Sequence, residues 1–172
     1  MEQTLALIKP DAVERNLIGK ILAMIEYDNF RIKHMKLTKM SEPLAETFYS
    51  IHKEKSFFDN LIKYMTSGSV VALVLEKENA VASFRQLVGA TDPKTAADNT
   101  IRKLYAIDKS FNSVHGSDSI KNAKIEMSII FGDWMSNLIS KKIRGFRDIL
   151  PQESKKFLYI EKIIHYVVPL FN

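Results

Sequence analysis

The sequence predicts an α/β (α+β) domain: a ferredoxin-like antiparallel sheet with split βαβ units and added helices. Three observations point there. Residues 4–8 and 69–75 are short and almost wholly apolar, as strands buried on both faces are. Stretches with helical spacing lie between such runs, giving the order β-α-β-(α,α)-β-α-β-α, which contains the split βαβ pattern. At 172 residues and 46% hydrophobic, the chain can bury one sizeable core, and it shows no internal repeat.

The first strand, residues 4–8, runs into Lys9-Pro10-Asp11, which reads as a turn. Residues 17–27 carry apolar side chains at 17, 18, 21, 22 and 25, one face of a helix. Residues 30–40 alternate imperfectly. Ile32 falls on one parity, Met35 and Leu37 on the other, so a second strand with a bulge is expected. Ser41 suits a helix cap and Pro43 a first helical turn. Helical spacing continues through Phe48 and Ile51 and resumes from Phe57 through Leu61 to Tyr64. After the third strand, a helix over 79–88 stops at Gly89. Residues 91–112 are polar and weakly periodic, a long loop of the kind that is usually functional or disordered. Val114 and His115 form a brief fourth strand, and residues 119–131 a last helix.

Composition narrows the function classes. Cysteine is absent, which excludes a disulfide framework and thiolate chemistry. No apolar run approaches the roughly 20 residues of a membrane span, and no signal peptide is visible, so a cytoplasmic location is expected. The net charge is +5. Residues 1–133 hold 18 Lys and Arg against 17 Asp and Glu, whereas residues 134–172 hold 7 against 3. The body is therefore near neutral, and nucleic acid is not indicated as a partner.

Residues 112–119 read Asn-Ser-Val-His-Gly-Ser-Asp-Ser. A chance match to the five residues from His115 to Ser119 has a probability on the order of one in a million at average usage. A histidine is a nucleophile only with one ring nitrogen free and the ring held by the other. Glu126, eleven residues on and on the following helix, is a carboxylate that could fold back onto the imidazole. By themselves Glu126 reads as a solvated surface acid and Ser117 as a helix cap.

The string resembles the active-site signature of nucleoside diphosphate kinases, in which the histidine accepts a phosphoryl group. Ile8-Lys9-Pro10-Asp11 resembles the same family's Lys-Pro-Asp-Gly motif. The resemblance runs over residues 4–133 and implies that activity: a ping-pong transfer of the γ-phosphoryl of a triphosphate, usually ATP, through His115. It implies Glu126 as the histidine-orienting carboxylate, Ser117 as a hydroxyl donor near the phosphohistidine, and Tyr49 as support for the lysine and histidine region. Lys9, Arg85 and Arg102 fall at its phosphate-contacting positions, and Thr91 and Asn112 at positions touching phosphate or ribose. Phe57 and Leu61, one helical turn apart, match its base platform, where an aromatic and an aliphatic group sandwich any base without reading its edge.

The family uses Mg2+; no metal-ligand set appears in this sequence, so the ion is expected to be carried mainly by nucleotide phosphates. His34, His52 and His165 have no companions and read as structural. The competing class is a non-catalytic nucleotide- or nucleic-acid-binding module retaining the fold; it predicts loss of His115, Glu126 or a phosphate-contacting residue, and none is lost. Ala12 replaces the motif's glycine, Asp98-Asn99 a frequent Pro-Gly, and Ser110-Phe111 a common Gly-Arg/Lys pair. Residues 134–172 form a C-terminal extension beyond the 1–133 domain. Within it Pro151 opens a helix with an apolar stripe at Phe157, Ile160, Ile164 and Val168, expected to dock on the same domain or a sister subunit. Apolar strands on both parities call for a second covering layer, from the tail or another subunit. Family members assemble through dimers, most often into hexamers, and Pro93 in the long loop favours the hexamer here.

Overall fold

The computed structural model describes residues 1–132. The chain divides after residue 130 into two units, and the account below concerns the first. The extension over 134–172, with its expected helix, lies outside the described residues.

Four strands form one sheet: β1 (Glu2–Ile8), β2 (Arg31–Lys39), β3 (Ser69–Lys77) and β4 (Val114–Gly116), in the order β2-β3-β1-β4. Every neighbouring pair is antiparallel. This is the ferredoxin-like arrangement expected from the segment order. The bulge anticipated in β2 is present, between Ile32 and His34. Leu5–Ile8 and Val70–Leu75 are buried throughout, as their unbroken apolar character requires.

Two helical layers cover this sheet. On one side, Ala6, Ile8, Val71, Leu73, Leu75 and Val114 pack with Ile21 and Ile25 of α2 (Ile18–Tyr27) and Phe84 and Val88 of α5 (Ala80–Val88). The other parity carries His115. There Phe48, the last residue of α3 (Glu42–Phe48), and Tyr49 set their rings edge-on to the imidazole. Glu126 reaches the same imidazole from α7 (residues 120–132). Buried Phe48, Ala123 and Met127 show that α3 and α7 are apolar where they turn inward. The chain's own helices thus line the second face around His115.

Two expectations are corrected. Lys9-Pro10-Asp11 is not a free turn but the start of α1 (Pro10–Glu14), with Pro10 at its first position and Lys9 extended before it. Ala12 is helical and fully buried there, so the missing glycine creates no positive φ to accommodate. The long segment after α5 contains α6 (Ile101–Tyr105), capped by Thr100 Oγ1, which accepts from Lys103 N at 3.4 Å. Asp92 organises the loop before it by accepting from Lys94 N at 3.0 Å and pairing with Lys109 at 3.4 Å. The remaining helix, α4 (Phe58–Thr66), follows a single 3-10 turn at Ser50–His52. The cap expected at Ser41 holds, accepting from the amide three residues on, and Ser119 caps α7 in the same way.

Gly89 ends α5 at φ 82, ψ 178, a conformation that is essentially glycine's alone. A Cβ there would also lie 2.4 Å from Thr100 Oγ1. Gly89→Ala should therefore destabilise the domain by on the order of 3 kcal/mol. Urea unfolding checks this; a midpoint equal to that of the unaltered chain would show that the turn relaxes freely.

Candidate active site

The three pairs Ala6↔Gly116, Leu7↔His115 and Ile8↔Val114 join β4 to β1. They bring the end of β1, and hence Lys9, beside the strand that carries the histidine. Lys9 N donates to Ser113 O at 2.9 Å, closing the junction one residue beyond the ladder. Gly116 faces the core: a Cβ at that position would meet the Phe84 ring at 2.8 Å.

His115 presents one nitrogen to Glu126. Nε2 lies 3.1 Å from Glu126 Oε2, an approach too oblique for a linear hydrogen bond, and it is buried. Ser117, fully buried, donates its hydroxyl to the same Oε2 at 2.5 Å. Its oxygen accepts from Leu5 N at 3.4 Å. Ser117 is thus not a helix cap; its hydroxyl bonds the carboxylate that faces the His115 ring. Tyr49 sets its ring edge-on to the imidazole. The ring stands 6.2 Å from the imidazole, and the buried hydroxyl has no hydrogen-bond partner among the described residues. Burial, and then the Glu126 charge, hold that hydroxyl far above its ordinary pKa.

Arg85, Gly89, Thr91, Arg102, His115, Asp118 and Glu126 line one cavity of about 530 Å³. His52, which the sequence left as structural, lines it as well. The His52 ring stacks on Tyr49 at 6.5 Å and lies 5.7 Å from the Phe57 ring. Phe57 itself is half-exposed before α4 and does not line the cavity, and Leu61 is one turn further along, partly buried. A planar group leaving the cavity past His52 would meet Phe57 first.

Two further cations matter here, Arg102 on this wall and Lys9 outside it. Arg102 donates through its guanidinium to Gly89 O at 3.1 Å and Val114 O at 3.0 Å, which anchors α6 to both sides of the cavity. Burial, reinforced by Arg85, lowers its pKa to about 10. Lys9 is deeper. Its Nζ donates to Asn112 Oδ1 at 2.7 Å, and Asn112 Nδ2 donates to Lys109 O at 2.8 Å. Both ends of the Asn112 amide are therefore engaged inside the protein. Burial first, and Arg102 second, pull the Lys9 ammonium down to about 7 against the opposing pull of Asp11. An uncompensated ammonium in such a place is costly unless an anion joins it. Arg85 and Arg102 share the cavity wall with His115, and Lys9 lies near enough to Arg102 for the two charges to oppose each other.

Other residues hold these in place and escaped the sequence reading. Asp11 was quoted only as part of a motif, yet it is buried and bonded to Arg15, Ser113 and Tyr64. Those partners lie 4, 102 and 53 residues away, so only Arg15, one helical turn on, could have been found from local spacing.

Similar sequences and folds exist elsewhere. The family model described as nucleoside diphosphate kinase matches residues 2–135. The nucleoside diphosphate kinase of Chloroherpeton thalassium is 53% identical over 131 residues, covering 76% of this chain and 93% of that protein. That of Phenylobacterium zucineum is 55% identical over 130 residues, covering 76% and 94%. Among solved structures, the Aquifex aeolicus nucleoside diphosphate kinase is 41% identical with a TM-score of 0.74, over 76% of this chain and 94% of that one. The Encephalitozoon cuniculi enzyme is 36% identical with a TM-score of 0.75, over 77% and 90%. A match spanning most of the chain, in sequence and in fold, leaves one conclusion: the chain belongs to the nucleoside diphosphate kinase family.

Proposed function

We propose that this chain is a nucleoside diphosphate kinase that works through a phosphohistidine at His115. The observation that carries the reading is the Glu126–His115 geometry. Nε2 is buried facing a carboxylate, which favours the tautomer with its proton there and leaves Nδ1 as the nitrogen for attack. In the first half-reaction Nδ1 attacks the γ-phosphorus of a triphosphate. The P–N bond forms, the bond to the β-γ bridging oxygen breaks, and the diphosphate leaves with that electron pair. A second diphosphate then takes the phosphoryl group back by the reverse sequence. Charge on the transferring group and the leaving oxygen is met by Arg85, Arg102 and Lys9, which stand ready without solvent reorganisation. Ser117 holds the Glu126 carboxylate while the ring gains and loses phosphate.

Thr91 and Asn112 are read as phosphate and ribose contacts; Asn112 would have to share its Lys9 bond with the ligand. Phe57, with Leu61 behind it, is read as the platform for the base. A flat apolar face accepts purines and pyrimidines alike, which allows one site to serve every donor and acceptor. Among the described residues no group of three or more His, Asp or Glu side chains could hold a metal ion. The donor set therefore suits Mg2+ held by nucleotide phosphates and water, with Asp118 the exposed carboxylate on the cavity wall. Bound there, the ion would neutralise charge on the phosphates. No helix among the described residues is long and apolar enough to cross a membrane.

Incubation with γ-labelled ATP tests the mechanism. The intact chain should take up an acid-labile, base-stable label, and His115→Ala should take up none while still binding ADP. Retention of most turnover by His115→Ala would sink the phosphohistidine.

The Lys9 ammonium gives a second test, with a definite sign. The charged form binds phosphate, and the free chain loses it as pH rises through about 7. The ADP dissociation constant of the intact chain, relative to Lys9→Met, should be constant below that pH. Above it the advantage should fall by up to about tenfold per unit. The ratio cancels the titration of ADP itself; a ratio constant to pH 9 would remove Lys9 from phosphate binding.

Assembly into a homo-oligomer is part of the reading. β2 is an edge strand, and Met35 and Leu37 on it are 52% and 64% exposed. An edge strand that carries exposed apolar side chains is a surface on which another chain can pack. Light scattering should return a mass several times that of the 19.7 kDa chain, with a hexamer favoured; a monomer at micromolar concentration would refute this.

A further inference from the structure

Asp11 lies two residues beyond Lys9, is 7% exposed and does not line the cavity. All of its oxygens are engaged. Oδ1 accepts the Tyr64 hydroxyl, and Oδ2 accepts Arg15 Nη2 at 2.6 Å and lies 3.1 Å from Ser113 Oγ. Its carbonyl accepts Arg15 Nε at 2.9 Å. The same Arg15 Nη2 reaches Ser113 Oγ at 3.0 Å and Tyr105 O at 2.8 Å. Ser113 is the residue under strain. It is fully buried at φ 66, a left-handed conformation that costs a non-glycine residue about 1 kcal/mol or more and persists only where its surroundings impose it. Its carbonyl accepts Lys9 N, its predecessor Asn112 accepts Lys9 Nζ, and β4 begins at its successor.

We infer that Asp11, Arg15, Tyr64 and Ser113 form a positioning assembly for phosphoryl transfer. It fixes the left-handed turn that seats Asn112 against Lys9 and delivers His115 into β4, without touching nucleotide. The inference rests on the phosphohistidine reading above. Its physical basis is that one buried carboxylate ties α1 and α4 to the turn before β4, while Arg15 adds the end of α6. Lys9 and His115 come from segments more than a hundred residues apart, and this cluster sets their separation. Reacting groups misplaced by as little as 1 Å can lose about a hundredfold in rate. Asp11 also acts on charge. The groups facing Lys9 are Asp11 from α1, Arg102 from α6, the Tyr64 ring from α4 at 5.8 Å, and Asn112. Of the two charged ones, only Asp11 favours the ammonium.

A staple of purely structural value would lower the unfolding temperature and leave chemistry intact, and this separates the alternatives. The first-turnover rate of labelling by γ-labelled ATP and the ADP dissociation constant are measured well below the unfolding temperature. Tyr64→Phe removes one hydroxyl; it should slow labelling by about 3–10-fold with ADP affinity changed less than about twofold. Asp11→Asn keeps the shape and removes the charge. It should slow labelling by about a hundredfold and move the pH above which ADP binding weakens to a lower value. Labelling at the unaltered rate in Tyr64→Phe overturns the inference, as does an unmoved pH limit in a folded Asp11→Asn. If Asp11→Asn does not fold, the Tyr64→Phe rate decides alone. An unaltered chain that takes no label at all overturns the phosphohistidine reading itself, a result distinct from either.

Discussion

The pairing of β4 with β1 is the interaction on which the site depends, and it is only three residues long. Such a ladder is too short to hold a strand by itself. It is kept by what surrounds it: the Phe84 ring under Gly116, the Leu5 bond to Ser117, the Lys9 bond to Ser113, and two guanidinium bonds, from Arg102 to Val114 and from Arg15 to Ser113. Together they tie the histidine strand to β1, α5, α6 and both ends of α1. The histidine strand is thus the shortest of the sheet and is held by cross-links from several elements.

A second constraint is parity. Adjacent residues of a strand face opposite sides, so Val114 enters the core with α2 and α5 while His115 turns toward α3 and α7. Sliding β4 by one residue would bury the imidazole in the apolar layer and expose a valine. The core and the site therefore set the same register, and neither can be altered alone.

How much was legible in the sequence follows from the range of each interaction. Strands β1 and β3 could be read because burial on both faces leaves no polar position, and the bulge in β2 because it breaks alternation. Helix α1 was missed although Pro10 at its first position was the available sign, since five residues show no period. Helix α6 was missed for the same reason; Thr100 as a cap was the only mark. Within the site, His115 was conspicuous because its neighbours form a long string. His52 was not, because its relation to the cavity depends on how a 3-10 turn aims it. The bonds of Ser117 to Glu126 and of Asp11 to Tyr64 and Ser113 cross between segments, and no local pattern encodes them.

Gly116 carries a consequence for how this protein lineage can diverge. It stands beside His115, inside the string that resembles the family's signature, yet what forbids a side chain there is an aromatic ring on the opposite layer. Its backbone dihedral is not one that demands glycine. Selection on this glycine therefore comes from packing against Phe84 and acts whether or not the neighbouring histidine is used. A descendant that abandoned phosphoryl transfer would lose His115 freely and still keep Gly116 for as long as it kept Phe84. Residues 84 and 116 should drift only as a pair, and the most recognisable string in the chain records two histories, one of chemistry and one of folding.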